Sequence, residues 1–263
     1  MRRIIIIGAA LAVLVGAAAA YATTYYNSYT AKLSFSPSKA GSAKAPSPFK
    51  MEQILTAAGQ GGNRAAPLTD IKTTIYGVVA NGGAFPTCSD AQIEADKTKY
   101  DAACPKGSMV ASGPVNSLLG PQKDNSQAAG TPCNPFLHVY NGGKGKLVFF
   151  FTTDLQHTCA GLRTGATAPY DATSKQQGKN LVVDVPLPPD VSNKVAGIPN
   201  YYGSLIKEDL TWLKLTKKVG GKTVAYQQSV ACQNGKRPWK TQFTAQDYNG
   251  SSETQTVSGS AKC

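Results

Sequence analysis

The stretch Asp154-Leu-Gln-His157-Thr-Cys159 brings a carboxylate, an imidazole and a thiol close together in the chain. Such a set suits a thiol nucleophile with a histidine base, or a metal site. A catalytic cysteine must remain a free thiol. The chain has six cysteines, and withdrawing one for catalysis strands another without a partner. On a strand His157 and Cys159 share one face while Asp154 takes the other, so the spacing does not match a metal motif. The pattern reads instead as a disulfide cysteine beside a surface histidine. His138 alternates with Phe136 and Tyr140 in an apolar run, as a satisfied or half-exposed strand histidine does.

Other chemistries find little support. No G-x-S-x-G occurs, and Gly107-Ser108 lacks the strand-to-helix elbow of a serine hydrolase. A Ser-His-Asp triad assembled from distant residues remains open. Glu52, Glu94, Glu208 and Glu253 are the only glutamates. Glu208 and Asp209 are adjacent and would face opposite sides of a strand, a poor arrangement for paired acid–base work. Gly59-Gln60-Gly61-Gly62 lacks the strand, lysine and helix of a phosphate loop. We therefore expect no catalytic residues, no metal and no cofactor. Aromatic residues offer the best binding signal: Tyr25, Tyr26 and Tyr29 cluster early, and Tyr201, Tyr202 and Trp212 cluster later. Exposed aromatic platforms stack on the apolar face of a sugar ring, whereas strand aromatics usually pack a core or a sheet face. Trp239, between Arg237-Pro238 and Lys240, completes the set of candidate binding residues Trp239, Trp212, Tyr201 and Tyr202.

The N-terminus reads as a secretory signal, residues 1–22. Arg2 and Arg3 form its charged region, Ile4 to Ala20 carries no charge, and Ala20-Tyr21-Ala22 places cleavage before Thr23. The alternative is a retained membrane anchor, the one route to a membrane that this sequence suggests. No lipobox cysteine follows the hydrophobic run. Beyond the signal lie Cys88, Cys104, Cys133, Cys159, Cys232 and Cys263. An even count in an exported chain argues for disulfides, and about 15 pairings are open to six cysteines. The spacings suggest nearest neighbours: Cys88–Cys104, Cys133–Cys159 and Cys232–Cys263. A zinc site is disfavoured, because no C-x-x-C pair exists and the histidines number 2.

The 27 Lys and Arg residues lose two, Arg2 and Arg3, with the signal; 25 remain against 15 Asp and Glu, a net charge of +10. Lysines dominate, and no basic run exceeds Lys217-Lys218. Reading of nucleic acid favours the bidentate fork of arginine, so nucleic acid is not an expected partner. A diffuse lysine surface aids solubility and favours weak, salt-sensitive adhesion to acidic cell-wall polymer or polysaccharide.

Short alternating segments recur along the chain: Thr30 to Ser36, Phe49 to Ala57, Ile71 to Ala80, Met109 to Leu119, Phe136 to Tyr140, Leu147 to Thr153 and Leu181 to Leu187. Leu210 to Thr216, Thr223 to Val230, Thr241 to Ala245 and Glu253 to Ser258 follow. Pro186 marks an edge strand or a strand end, because it lacks an amide donor. Lys144-Gly145 and Gly220-Gly221 suggest hairpin turns. The single helix expected is short, near residues 90–99, with Ser89 and Gln92 as a capping box. Together these predict an all-β antiparallel β-sandwich with long loops and three disulfides. We read residues 23–263 as one domain, with two sub-domains open if Arg163 to Lys179 is a linker rather than a long loop.

Phe85-Pro86-Thr87-Cys88-Ser89, then Ala103-Cys104-Pro105-Lys106-Gly107-Ser108 and Gly113, resembles a block of exported actinobacterial proteins of uncharacterised function. Their pattern is F-P-x-C-S…C-P-x-G-S-x-V-x-x-G. Phe136 to Gly142 is similar to their following strand and turn. Cys232…Trp239…Phe243…Tyr248-Asn249-Gly250…Cys263 is similar to their ending. Ala111-Ser112 stands where a glycine is usual, and Asn249 where Asp is common. The resemblance implies export, β structure and paired cysteines, and it supplies no catalytic residues. The sequence thus predicts an exported, non-enzymatic β-sandwich that binds within, or builds, the cell envelope. A carbohydrate or cell-wall polymer-binding module is the first alternative, and a secreted hydrolase with a dispersed active site the second.

Overall fold

The computed structural model describes residues 26–95, 99–195 and 198–263; the expected signal segment, 1–22, lies outside them. In chain order the first strands are β1 Asn27–Ser36, β2 Ser47–Pro48, β3 Lys50–Gly59, β4 Leu68–Tyr76, β5 Val78–Ala80, β6 Met109–Pro121, β7 Thr131–Cys133, β8 Phe136–Gly143 and β9 Lys146–Thr153. Then come β10 Gly165–Ala166, β11 Tyr170–Gln177, β12 Asn180–Pro186, β13 Tyr201–Trp212, β14 Thr216–Val219, β15 Lys222–Ala225, β16 Gln227–Ser229, β17 Lys236–Gln246 and β18 Ser252–Lys262. Among the described residues the α-helix is α1, Asp90–Glu94, opened by the expected capping box between Ser89 and Gln92. Residues 96–98, within the helix span expected from sequence, lie outside the described residues.

The fold is all-β and antiparallel. One 13-stranded sheet runs β1-β3-β13-β6-β8-β9-β11-β12-β4-β17-β18, with β10 beside β9 and β7 beside β6. It curls until β18 packs against β1, so the facing layers of the sandwich are opposite walls of a nearly closed barrel. Glu253 of β18 fastens the seam: its carboxylate accepts from the Tyr26 amide at 2.8 Å and the Asn27 amide at 3.2 Å. Gln255 Nε2 adds a bond to the Asn27 carbonyl at 2.8 Å. A side chain here does the work of a missing ladder and satisfies edge amides that would otherwise be left open.

Local signals explain most elements. Lys144 and Gly145 both take positive φ, 37° and 84°, closing the β8–β9 hairpin, and Gly220 and Gly221, at 55° and 78°, close β14–β15. A turn with two left-handed residues matches the twist of the strands it joins. The expected single strand from Ile71 to Ala80 is two, because Gly77 turns the chain at φ 68°. A Cβ there would lie 2.1 Å from the Ala231 carbonyl oxygen. Pro186 ends β12, at a strand end rather than an edge, since β12 is bonded to both β11 and β4. Residues 163–179 are not a bare linker or loop: β10 and β11 lie there, bonded to β9 and β12. Their polar sequence hid them, because β11 is mostly solvent-facing.

β9 shows how the core is layered. Leu147 and Phe149 face the barrel interior with Leu137, Val139, Leu181, Leu210, Trp212 and Trp239. Val148 and Phe150 face outward and are covered by Ile93 of α1, Tyr140 and Cys88. A strand buried on both faces reads as a continuous apolar run, as Leu147 to Phe151 does. The sulfur pairs are those expected: Cys88–Cys104, Cys133–Cys159 and Cys232–Cys263, with Cα separations of 5.2, 3.7 and 6.4 Å. Among the described residues no cysteine is free. Three disulfides point to an oxidising, extracytoplasmic compartment. No described helix is long and apolar enough to cross a membrane.

Candidate functional site: a cavity inside the barrel

One end of the barrel is filled. Arg237, fully buried, lies over the rings of Phe35 and Phe49, 4.4 and 5.4 Å from their centroids. Its Nη2 donates to Ser229 Oγ, and burial lowers its pKa to about 10. Trp239 lies across Gly259, its register partner on β18, whose missing Cβ leaves room for the indole. The other end is hollow. A cavity of about 450 Å³ is walled by Val115 and Leu119 of β6, Leu137 of β8, Phe149 and Phe151 of β9, Val183 and Val185 of β12, and Leu205, Leu210 and Trp212 of β13. This volume lies within the roughly 300–1,000 Å³ of small-molecule sites, which are mostly apolar with few polar groups. Its rim reaches the surface: Leu162, Ala166, Ala168 and Asp190 border it and are exposed. Leu162 is 65% exposed, an apolar side chain held at the entrance. The Cys133–Cys159 disulfide also borders the cavity, tying the end of β7 to the loop after β9.

A carboxylate sits within this apolar wall. Between Leu205 and Lys207 the β13–β6 register shifts, a bulge that takes up Ile206. Strict alternation from Gly203 and Leu205 would turn Lys207 and Asp209 inward. The extra residue changes the phase, so Glu208, Leu210 and Trp212 line the cavity with Gly203 and Leu205. Outside, Lys207 Nζ meets Asp209 Oδ2 at 3.0 Å. Glu208 Oε1 accepts from Gln53 Nε2 of β3 at 2.9 Å; Oε2 has no partner among the described residues. Glu208 is half-buried where it lines the cavity, and desolvation raises its pKa to about 7. Tyr170, also on the wall, is raised by burial and by the nearby Glu208 charge. Thr153 Oγ1 and Trp212 Nε1 belong to wall residues and are buried without hydrogen-bond partners. No Lys, Arg or His is among the lining residues described.

The residues singled out from sequence are distributed differently. Trp212 lines the cavity and Trp239 packs in the same interior core. Tyr202 is buried and stacks on Tyr248 at 5.2 Å. Tyr201 is half-buried at the start of β13. The four therefore do not form one exposed row. His157 Nδ1 lies 3.0 Å from Asp154 on the surface, and this contact holds the Asp154 carboxyl below its ordinary range; Cys159 is in its disulfide. His138 Nε2 meets Thr152 Oγ1 at 2.9 Å, while Nδ1 is 3.8 Å from Asp101, too far for a hydrogen bond. The His138 ring stacks on Phe150 at 4.8 Å, and burial lowers its pKa. Asp101 instead accepts from the Tyr140 hydroxyl. This line of groups braces the outer face of β8 and β9. On another outer wall Lys72, Lys175 and Lys240 surround a polar depression of about 290 Å³, with Lys72 paired to Asp184 at 3.0 Å.

The cavity was not apparent from the sequence. Its one signal is Glu208 two residues before Leu210 and four before Trp212, a carboxylate on the apolar face of a strand. No family model, no curated protein and no solved structure matches this chain.

Proposed function

We propose that this protein is an exported binding protein of the cell envelope that holds a small, largely apolar molecule inside its barrel. The observation that supports this most is the cavity of about 450 Å³, walled by Val, Leu, Phe and Trp and reaching the surface past Leu162. Burying apolar ligand surface is favourable by about 25 cal/mol per Å², and a largely preformed cavity lowers the ordering cost of binding. A fluorescent apolar probe, 1-aminoanthracene, tests the reading. The expected result is saturable one-to-one binding accompanied by quenching of Trp212, abolished in Val115→Trp, where the indole fills the cavity. Absence of saturable binding, or binding unchanged in V115W, contradicts it.

The lysine-lined depression favours a second, compatible reading, adhesion of the outer wall to acidic envelope polymer. Such contact is screened by salt. Retention on purified cell wall at low salt and release at high salt is the expected result; no retention at low salt rejects it.

A further inference from the structure

Resting on the binding reading above, we infer that the molecule held in the barrel is an apolar body carrying a hydrogen-bond-donating head, a hydroxyl or an ammonium, and that Glu208 receives that head. Three observations carry this. Glu208 lines the cavity, its Oε1 held by Gln53 Nε2 at 2.9 Å and its Oε2 without a hydrogen-bond partner among the described residues. A carboxylate oxygen that lines an apolar cavity is poorly solvated there, and a donor from the ligand satisfies it. The lining residues include no Lys, Arg or His to receive a carboxylate or phosphate head; the ionisable groups there are Glu208, Tyr170 and, at the rim, Asp190. A ligand acid would therefore meet like charge inside a low-dielectric wall, where repulsion is strongest. Outside the wall, Asp209 adds negative charge next to Glu208 in the chain, though Lys207 pairs with it at 3.0 Å. The Gln53 amide fixes the carboxyl on the β3 side, which presets its open edge for the incoming group.

The test compares dodecylamine, dodecanol and dodecanoate, each below its micelle concentration, as competitors of bound 1-aminoanthracene at pH 8. The tail is the same in all three, so differences report the head. The amine and the alcohol should displace the probe with dodecanoate at least tenfold weaker, and in Glu208→Gln the spread between amine and acid should fall to threefold or less. Dodecanoate binding as well as the amine in the wild-type protein overturns the inference and leaves the binding reading standing. A preference for the amine that persists unchanged in E208Q also overturns it. If neither the fluorescent probe nor any dodecyl compound binds, the binding reading itself is wrong. The wild-type comparison needs no variant, and a matching far-UV circular dichroism spectrum qualifies E208Q for use.

Discussion

Glu208 couples the stability of the barrel to pH. Its folded pKa, about 7, stands above the ordinary 4.5 because the barrel wall desolvates it. Below pH about 4.5 the group is protonated in both folded and unfolded chains and costs nothing. As pH rises, the unfolded chain releases the proton first, so stability falls from that point until pH passes the folded value, and then levels off. A shift of this size corresponds to a loss of roughly 3 kcal/mol. Asp70 contributes in the same direction, since burial and then its hydrogen bond with Asp184 raise it to about 6. The difference between wild type and E208Q isolates Glu208. Urea unfolding from pH 4 to 8 should show E208Q gaining on the wild type by about 2–3 kcal/mol over that interval; parallel curves would place the carboxyl in water. The sequence did reveal that Glu208 and Asp209 must face opposite sides. It did not reveal which side is inside, because the bulge at Ile206 sets that phase and a bulge is invisible to an alternation pattern.

At the scale of elements, strands with one buried face were legible wherever alternation ran unbroken. Leu181, Val183, Val185 and Leu187 fall on one face as expected and all meet the interior core or cavity. β13 was not legible over its first half, because the alternation that predicts a strand from Leu210 breaks at the bulge. β11 was missed for a different reason: few of its residues are apolar, and its place is fixed by β9 and β12 on either side. The seam between β1 and β18 is a further tertiary device. Glu253 accepts from two edge amides there, and each donor left unsatisfied on its removal costs about 1–3 kcal/mol. Glu253→Ala should lower stability by about 2–4 kcal/mol and speed hydrogen exchange at the Tyr26 and Asn27 amides. Unchanged exchange at those two positions would mean that the seam is held by other contacts.

For the whole molecule, crosslinks and closure act on different parts. The Cys88–Cys104 bridge closes the segment that carries α1 over the outer face of β8 and β9, Cys133–Cys159 borders the cavity, and Cys232–Cys263 secures the C-terminus beside β17. Loops of these lengths contribute about 3 kcal/mol each in the chain-entropy description. Denatured protein without reductant should show no reactive thiol, and any thiol detected would contradict three bridges. Changing Cys133 and Cys159 to Ser together should weaken 1-aminoanthracene binding while leaving the β spectrum intact, because that bridge borders the cavity rather than the core. The pairing was legible from spacing and an even count; the hollow was not, because it arises only when opposite walls of the sheet face each other and their side chains leave a gap.

The most direct measurement is isotope-edited NMR of the labelled protein with unlabelled dodecanol. Nuclear Overhauser contacts are expected from the alkyl chain to the methyl groups of Val115, Leu137, Val183 and Leu205, which line the cavity, and none to Val148 or Ile93, which pack on the outer face. Contacts confined to outer-face methyls, or no contacts at saturating dodecanol, would contradict binding inside the barrel.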